Sequence, residues 1–384
     1  MAFLTLEDKL YRHSELRRKM QEQDLDVLVL TGDANIKYVA GEYHIQRWAN
    51  VVFFRDESIE PVSFIAYIGR EYLLDIQSKN MKYYWVSETR LNGPNTISSL
   101  IKEKIGDKVN VGITYRDTGL STYFDLKENF GEQSIKSFDS AMEDLRHINY
   151  GNALQALRLS PKTVDLCCEN LKNVCKPGAL PIEVCADWEY KMRSAGAPDN
   201  LNQIVVDKKD ISSVLPAWTC EQKPLEKGDQ ITCEITSGAG GYYTQKIQHV
   251  SLGQPPQVIV DLHNAVDEAV WAAADAIGPG VLGRDALRII DEKISSKGFL
   301  YATQFDGGPV IHGSGLNVDE YTFSPDADYR FDEGFMFVIH PSAAVKGWTR
   351  GDYAVFGPGT MFLVNSTGVE CLNKYPNDIV VVDC

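Results

Sequence analysis

The sequence predicts two domains, an α/β domain over residues 1–145 followed by an α+β domain over residues 146–384. Three observations lead there. A chain of 384 residues is too long for one ordinary hydrophobic core. Up to about residue 145, short apolar runs alternate with helical patterns, as in α/β units. Beyond Asp144 the helices lengthen and the strands gather late, among glycine-rich turns, which is α+β grammar.

In chain order, residues 4–23 read as a helix with Leu4, Leu6, Leu10, Tyr11 and Leu16 in one stripe. LDVLVLTG follows as a buried strand closed by glycine, and NIKYVAG as a short helix. ANVVFF, PVSFIAYI and YYWVS add strands, NTISSLIKEKIG a helix, and VNVGITY a further strand. No glycine fingerprint for cradling phosphates occurs among them. HIQRWANVV stands out: Arg47 suits a bidentate clamp on a carboxylate, with Trp48 as an apolar wall and His44 nearby. The plain alternative is a rim salt bridge.

In the second domain LRHINYGNALQALRLSPKTVDLCCENLKNV reads as a long helical stretch interrupted around Pro161. KPGALPIEVCADWEYKMRSAG brings another helix, and IVVDKKD and LPAWT read as strand pieces. Two more helices cover PPQVIVDLHNAVDEAVWAAADAIGPG and GRDALRIIDEKISSKG. Strands and turns then dominate to the end, so helices are expected on one side of a largely antiparallel sheet.

The hairpin KGDQITCEITSGAGGYYTQKIQHVSLG carries the chemistry. ITCEI and YYTQKIQHVSL read as its strands, with SGAGG as the turn. Period-2 counting puts Glu234 on a face with Thr232 and Thr236, and Gln245 on a face with Tyr243, Ile247 and His249. A carboxylate and a carboxamide opposed in a core-like region need partners; the alternative is a solvated hairpin face. His312, in IHGSGL, and His340, ending FMFVI, punctuate later strands and are either satisfied core histidines or members of one pocket with Glu234.

The net charge of −15 argues against nucleic acid or an anionic membrane as partner. No run of 18 apolar residues exists, so no membrane span is expected. The charged start lacks a signal-peptide core, and the eight cysteines show neither metal-site spacing nor scaffold density. A reducing cytoplasm, with thiols as small core hydrophobes, is the expectation.

The order of landmarks resembles the creatinase/prolidase/methionine aminopeptidase superfamily: a GD strand, the GGYYT hairpin, HGSGL, EGFMF-x-x-x-P and the LVNSTGVECL hairpin. The resemblance covers essentially the whole chain and implies the pita-bread fold for the second domain. Metallopeptidases of this fold hold two metals with two aspartates, a histidine and two glutamates. Those positions fall here on Glu234, Gln245, His312, His340 and Gly359. A further histidine position falls on Ala217, and the histidine of the usual HE pair on Asp319, leaving Glu320. The bridging carboxylates are gone, so a two-metal peptidase is not expected. Creatinase's acid/base histidine falls on Ala217 and its glutamates on Ile247 and His340, so creatine hydrolysis is not expected either. The YYT motif and Arg47, at creatinase's carboxylate-holding position across its dimer, remain.

The resulting expectation is a homodimeric creatinase-fold enzyme that hydrolyses a small, carboxylate-bearing, nitrogen-containing metabolite without a metal. Glu234, His312 and His340 are the catalytic candidates; Arg47, Trp48, Tyr243, Gln245 and Glu320 the substrate-binding ones. Three alternatives stand beside it. One is a single zinc or iron held by Glu234, His312 and His340. Another is a lyase working by β-elimination, as in the dimethylsulfoniopropionate lyase branch. The third is a non-catalytic binding protein, as in the fold's histone-chaperone relatives.

Overall fold

The computed structural model describes residues 4–41, 50–65, 85–91, 93, 95–301, 310–326 and 328–384. The chain divides into two compact units, one of residues 1–146 with 150–153, the other of residues 147–149 with 154–384. His44, Arg47 and Trp48 lie outside the described residues.

In the first unit α1 (Leu6–Glu22) precedes β1 (Val27–Leu30), α2 (Asp33–Ala40), β2 (Asn50–Phe54), β3 (Val62–Ile65) and β4 (Glu88–Leu91). Then come α3 (Thr96–Ile105), β5 (Val111–Ile113), α4 (Leu120–Phe130) and β6 (Ile135–Ser137). The strands form one mixed sheet in the order β4-β3-β2-β1-β5-β6. Val27, Val29, Val52, Phe54 and Phe64 pack against Leu100, Ile101 and Leu126 of the helices. Two expectations shift. Of the strand expected over YYWVS, Tyr83 and Tyr84 lie outside the described residues, and residues 85–87 are not strand; β4 starts at Glu88, in register with Val62. The α1 stripe is also corrected: Leu6 and Leu10 are 68% and 62% exposed, whereas Arg12 and His13 are buried beside Leu16 and Met20. His13 Nε2 bonds the Val39 carbonyl at 2.7 Å, and the Arg12 guanidinium lies 5.0 Å from the centre of the Tyr38 ring. Polar residues satisfied by α2 thus face inward, a choice invisible to a count of apolar residues.

The second unit holds α5 (Ser160–Glu169), α6 (Pro181–Ser194), β7 (Asn200–Asp207), β8 (Asp210–Ile211), β9 (Leu215–Pro216), β10 (Gln230–Ser237) and β11 (Thr244–Leu252). These are followed by α7 (Gln257–Ala276), α8 (Gly283–Ser296), β12 (Leu300–Tyr301), β13 (Ile311–Gly313), β14 (Met336–Ile339) and β15 (Ser342–Ala344). The unit closes with β16 (Ala354–Phe356), β17 (Thr360–Asn365), β18 (Gly368–Cys371) and β19 (Val380–Val382). Pro161 does not interrupt a helix; it sits in the first turn of α5, where its missing N–H leaves no bond unmade.

Instead of one sheet, the described residues of this unit form three, ordered β19-β11-β10-β7-β9, β12-β15-β16-β8 and β13-β14-β17-β18. The helices split accordingly. Val164, Trp188 and Met192 of α5 and α6 pack on Ile204, Ile231, Cys233 and Ile235 of the five-stranded sheet. Leu262, Val266, Ala286 and Ile290 of α7 and α8 pack with Ile311, Phe337, Ile339 and Phe362. Because Ile231, Cys233 and Ile235 face α5 and α6, strand alternation turns Thr232, Glu234 and Thr236 to the opposite face. That face positions the site. The eight cysteines form no disulfide, and five of them are buried.

Candidate active site

The hairpin β10–β11 is buried along both strands, which overturns the reading of a solvated face. Glu234 lies directly across from Gln203 on β7 and from Ile247 on β11, while Gln245 sits opposite Thr236, diagonal to Glu234. Both carboxamides aim at the same atom: Gln203 Nε2 and Gln245 Nε2 each donate to Glu234 Oε1 at 3.2 Å. The carboxyl is 6% exposed, and burial pushes its pKa up to about 7, partly opposed by the Gln203 bond and reinforced by the negative Asp319.

The two histidines come from neighbouring strands. His312 lies on β13, and His340 follows β14, its N–H held by the Val310 carbonyl at 2.9 Å. Their rings are 4.9 Å apart at 66°, and the His340 ring also meets Phe356 at 5.0 Å. After Gly313 the chain turns back: Gly313 N–H donates to the Tyr321 carbonyl at 2.6 Å and Glu320 N–H to the Gly313 carbonyl at 3.0 Å. That return brings Asp319 Oδ1 to 3.0 Å from His312 Nδ1, which also lies 2.9 Å from the Gly313 carbonyl. Two acceptors at Nδ1 place the ring proton there and leave Nε2 with its lone pair. Burial lowers the His312 pKa, opposed by Asp319 and the Gly313 carbonyl; burial and then the neighbouring His312 hold His340 well below the ordinary histidine range.

Glu234, Gln245, His312 and His340 thus line one cleft of about 310 Å³, together with Gln203, Asp319, Leu201, Val214, Val318 and Phe356. Two expected substrate-binding residues are not among its lining. The Tyr243 hydroxyl donates to Asp199, its N–H to the Gly315 carbonyl at 2.7 Å, and its carbonyl accepts from Ser314 Oγ at 2.8 Å. It fastens the 313–315 turn to the hairpin rather than facing a ligand. Glu320 is buried and accepts the Asn317 N–H at 2.9 Å, bracing the same loop. Asp319 and Gln203 are cleft residues that the sequence reading left out of the site. Strand alternation across β7 could have found Gln203, but Asp319 reaches His312 only because the loop folds back.

The profile of metallopeptidase family M24 matches residues 155–370 and that of the creatinase/prolidase N-terminal domain residues 12–148. The chain belongs to metallopeptidase family M24 and carries the pita-bread architecture of the creatinase/prolidase superfamily. The uncharacterized peptidase YqhT of Bacillus subtilis (strain 168) is 23% identical over 332 residues, 85% of this chain and 89% of that protein. The Xaa-Pro dipeptidase of Pyrococcus furiosus is 24% identical over 264 residues, 67% of this chain and 73% of that one. Among solved structures, Xaa-Pro dipeptidase from Bacillus anthracis superposes with a TM-score of 0.80 at 20% identity, covering 97% of this chain and 100% of that chain. The recombinant prolidase from Thermococcus sibiricus gives a TM-score of 0.83 at 15% identity, covering 99% and 100%. At these identities the structural likeness establishes the fold.

A family of metallopeptidases implies metal, and the donor set tests it. Two divalent ions bring four positive charges, while the described cleft wall offers two carboxyl groups, Glu234 and Asp319. Where the second aspartate is expected, Gln245 presents a neutral amide whose Nε2 already donates to Glu234. Where the last glutamate is expected, Gly359 has no room for a side chain: a Cβ there would lie 2.4 Å from Ile247 Cδ1 and 2.8 Å from His340 Cβ. The residues present do not fit a two-metal centre. Among the described residues no group of three or more His, Cys, Asp or Glu side chains is arranged to hold an ion, so a single zinc or iron on Glu234, His312 and His340 finds no preformed geometry.

Proposed function

We propose that this chain is a hydrolase of a carbon–nitrogen bond in a small, nitrogen-containing substrate, working by acid–base chemistry without a dinuclear metal. One observation carries the reading: Glu234 and His312 line one cleft, and their environments push them in opposite directions. At neutral pH the carboxyl keeps a large share of its proton and the imidazole is free of one, the states an acid and a base must start from. His312 Nε2 accepts a proton from water, and the water oxygen attacks the carbon of the C–N bond. Glu234 then delivers its proton to the leaving nitrogen, and the bond breaks. Asp319, at 3.0 Å from His312 Nδ1, orients the ring and offsets the imidazolium that forms. Two rings 4.9 Å apart resist carrying a charge each, so His340 stays neutral beside it.

A cleft of about 310 Å³ is at the low end of ligand pockets, which favours a metabolite-sized group over a long peptide. The names of the relatives, among them Xaa-Pro dipeptidases, supply C–N hydrolysis as the reaction class. The carboxylate handle proposed for Arg47 rests on the sequence resemblance alone. No observation favours β-elimination or a binding-only role. The test is a turnover screen of amides, dipeptides and amidines with chelator-treated protein, run beside the His312→Ala variant. Release of amine that requires His312 is the expected result; turnover that appears only on adding divalent metal would overturn the metal-free part.

A further inference from the structure

The chemical character of the cleft wall says which end of a ligand it receives. Its ionisable side chains are Glu234, Asp319, His312 and His340, and no lysine or arginine is among the lining residues described. Gln203 Nε2 and Gln245 Nε2 each spend one N–H on Glu234 Oε1. One acceptor remains unmet: Gln245 is 3% exposed, and its Oε1 has no hydrogen-bond partner; His340 is 4% exposed, and its Nδ1, donor or acceptor by tautomer, has none either. Unmet polar atoms of this kind in a native interior mark where a ligand or water completes the set. A ligand carboxylate would meet two carboxyl groups with no lysine or arginine to offset them; an N–H-bearing cation would meet those carboxyl groups and the unmet Gln245 Oε1.

We propose that the cleft receives a nitrogen-centred cation, a protonated amine or amidine, between Glu234 and Asp319 with Gln245 Oε1 accepting one of its N–H bonds. This rests on the reading of the cleft as the substrate site and names the end of the substrate that the wall holds. A carboxylate elsewhere on the substrate points away from this wall.

Binding alone tests it. Dissociation constants for propylammonium, acetamidinium, propionate and acetamide are measured by ligand-observed NMR titration of the full chain. The same titrations are run on Glu234→Gln, Asp319→Asn and His312→Gln. The expected result is that one of the two cations binds at least ~10-fold tighter than propionate and acetamide. That preference falls at least ~10-fold in Glu234→Gln, and Asp319→Asn, altering an exposed side chain, gives a second reading if Glu234→Gln does not fold. Tightest binding by ammonium or by amidinium tells the two sources apart. Propionate or acetamide binding as tightly as the cations, or cation binding unchanged in both carboxyl variants, overturns the proposal. A cation that binds the wild type and His312→Gln alike, with no turnover of any amine or amidine, sinks the hydrolytic chemistry and leaves this inference standing.

Discussion

Glu234→Gln tests the electrostatics of the cleft without any substrate. Burial raises the Glu234 pKa from the ordinary 4.5 to about 7, so the folded chain holds this proton more tightly than the unfolded chain does. The sign follows from linkage. The stabilisation is fully present below about 4.5, where both states are protonated, and is lost as pH rises through about 7, where the folded carboxyl must ionise inside the protein. The rise corresponds to about 3 kcal/mol, from about 1.4 kcal/mol for each tenfold change in proton affinity. Glutamine keeps the oxygen that Gln203 and Gln245 bond but has no proton to lose. Urea unfolding of both proteins from pH 4 to pH 9, followed by hydrogen exchange in Gln230–Ser237, isolates the difference because all other groups titrate alike. The wild type should lose about 3 kcal/mol relative to Glu234→Gln across that range, nearly all of it between pH 4.5 and 7. Parallel stability curves would refute a buried, proton-retaining carboxyl.

Four further outcomes are expected. Once a turned-over substrate is in hand, His312→Ala should lower kcat roughly 10²–10⁴-fold with folding unchanged by circular dichroism, and an unaffected rate would remove His312 as the base. In the pH profile of kcat/KM, activity should fall as pH rises through about 7, where Glu234 loses its proton, and should fall on the acid side only below the ordinary 6.5 of histidine; a base-side limb that persists in Glu234→Gln would assign it elsewhere. Elemental analysis of protein purified without added metal, then dialysed against micromolar manganese or zinc, should find fewer than two ions per chain; two tightly held ions would contradict the donor-set argument. Gly359→Ala should cost about 1–3 kcal/mol in urea unfolding, since its Cβ would enter Ile247 at 2.4 Å, and a neutral effect would mean that the packing there yields.

The elements of both units were largely legible in the sequence because strand and helix periodicities reflect which face is buried, and burial is local in its demand on residue type. So was the convergence of Glu234, His312, His340 and Gln245, since strand residues with polar ends in apolar runs need partners and the resemblance told where those strands meet. The α1 stripe was not legible, because Arg12 and His13 are buried by virtue of the Val39 carbonyl and the Tyr38 ring, which other elements supply. Nor was the division into three sheets, which depends on which strand edges find each other across long sequence separations. The sequence by itself determined which ionisable groups this chain possesses and which family ligands it lacks. Only the tertiary structure decided their states: desolvation is a property of the surrounding fold, so the same Glu234 is an ordinary carboxylate in the open chain and a proton-holding acid in the cleft. It also decided that Asp319 backs His312 and that Tyr243 and Glu320 brace a loop, because hydrogen bonds are set by distances the chain acquires only on folding.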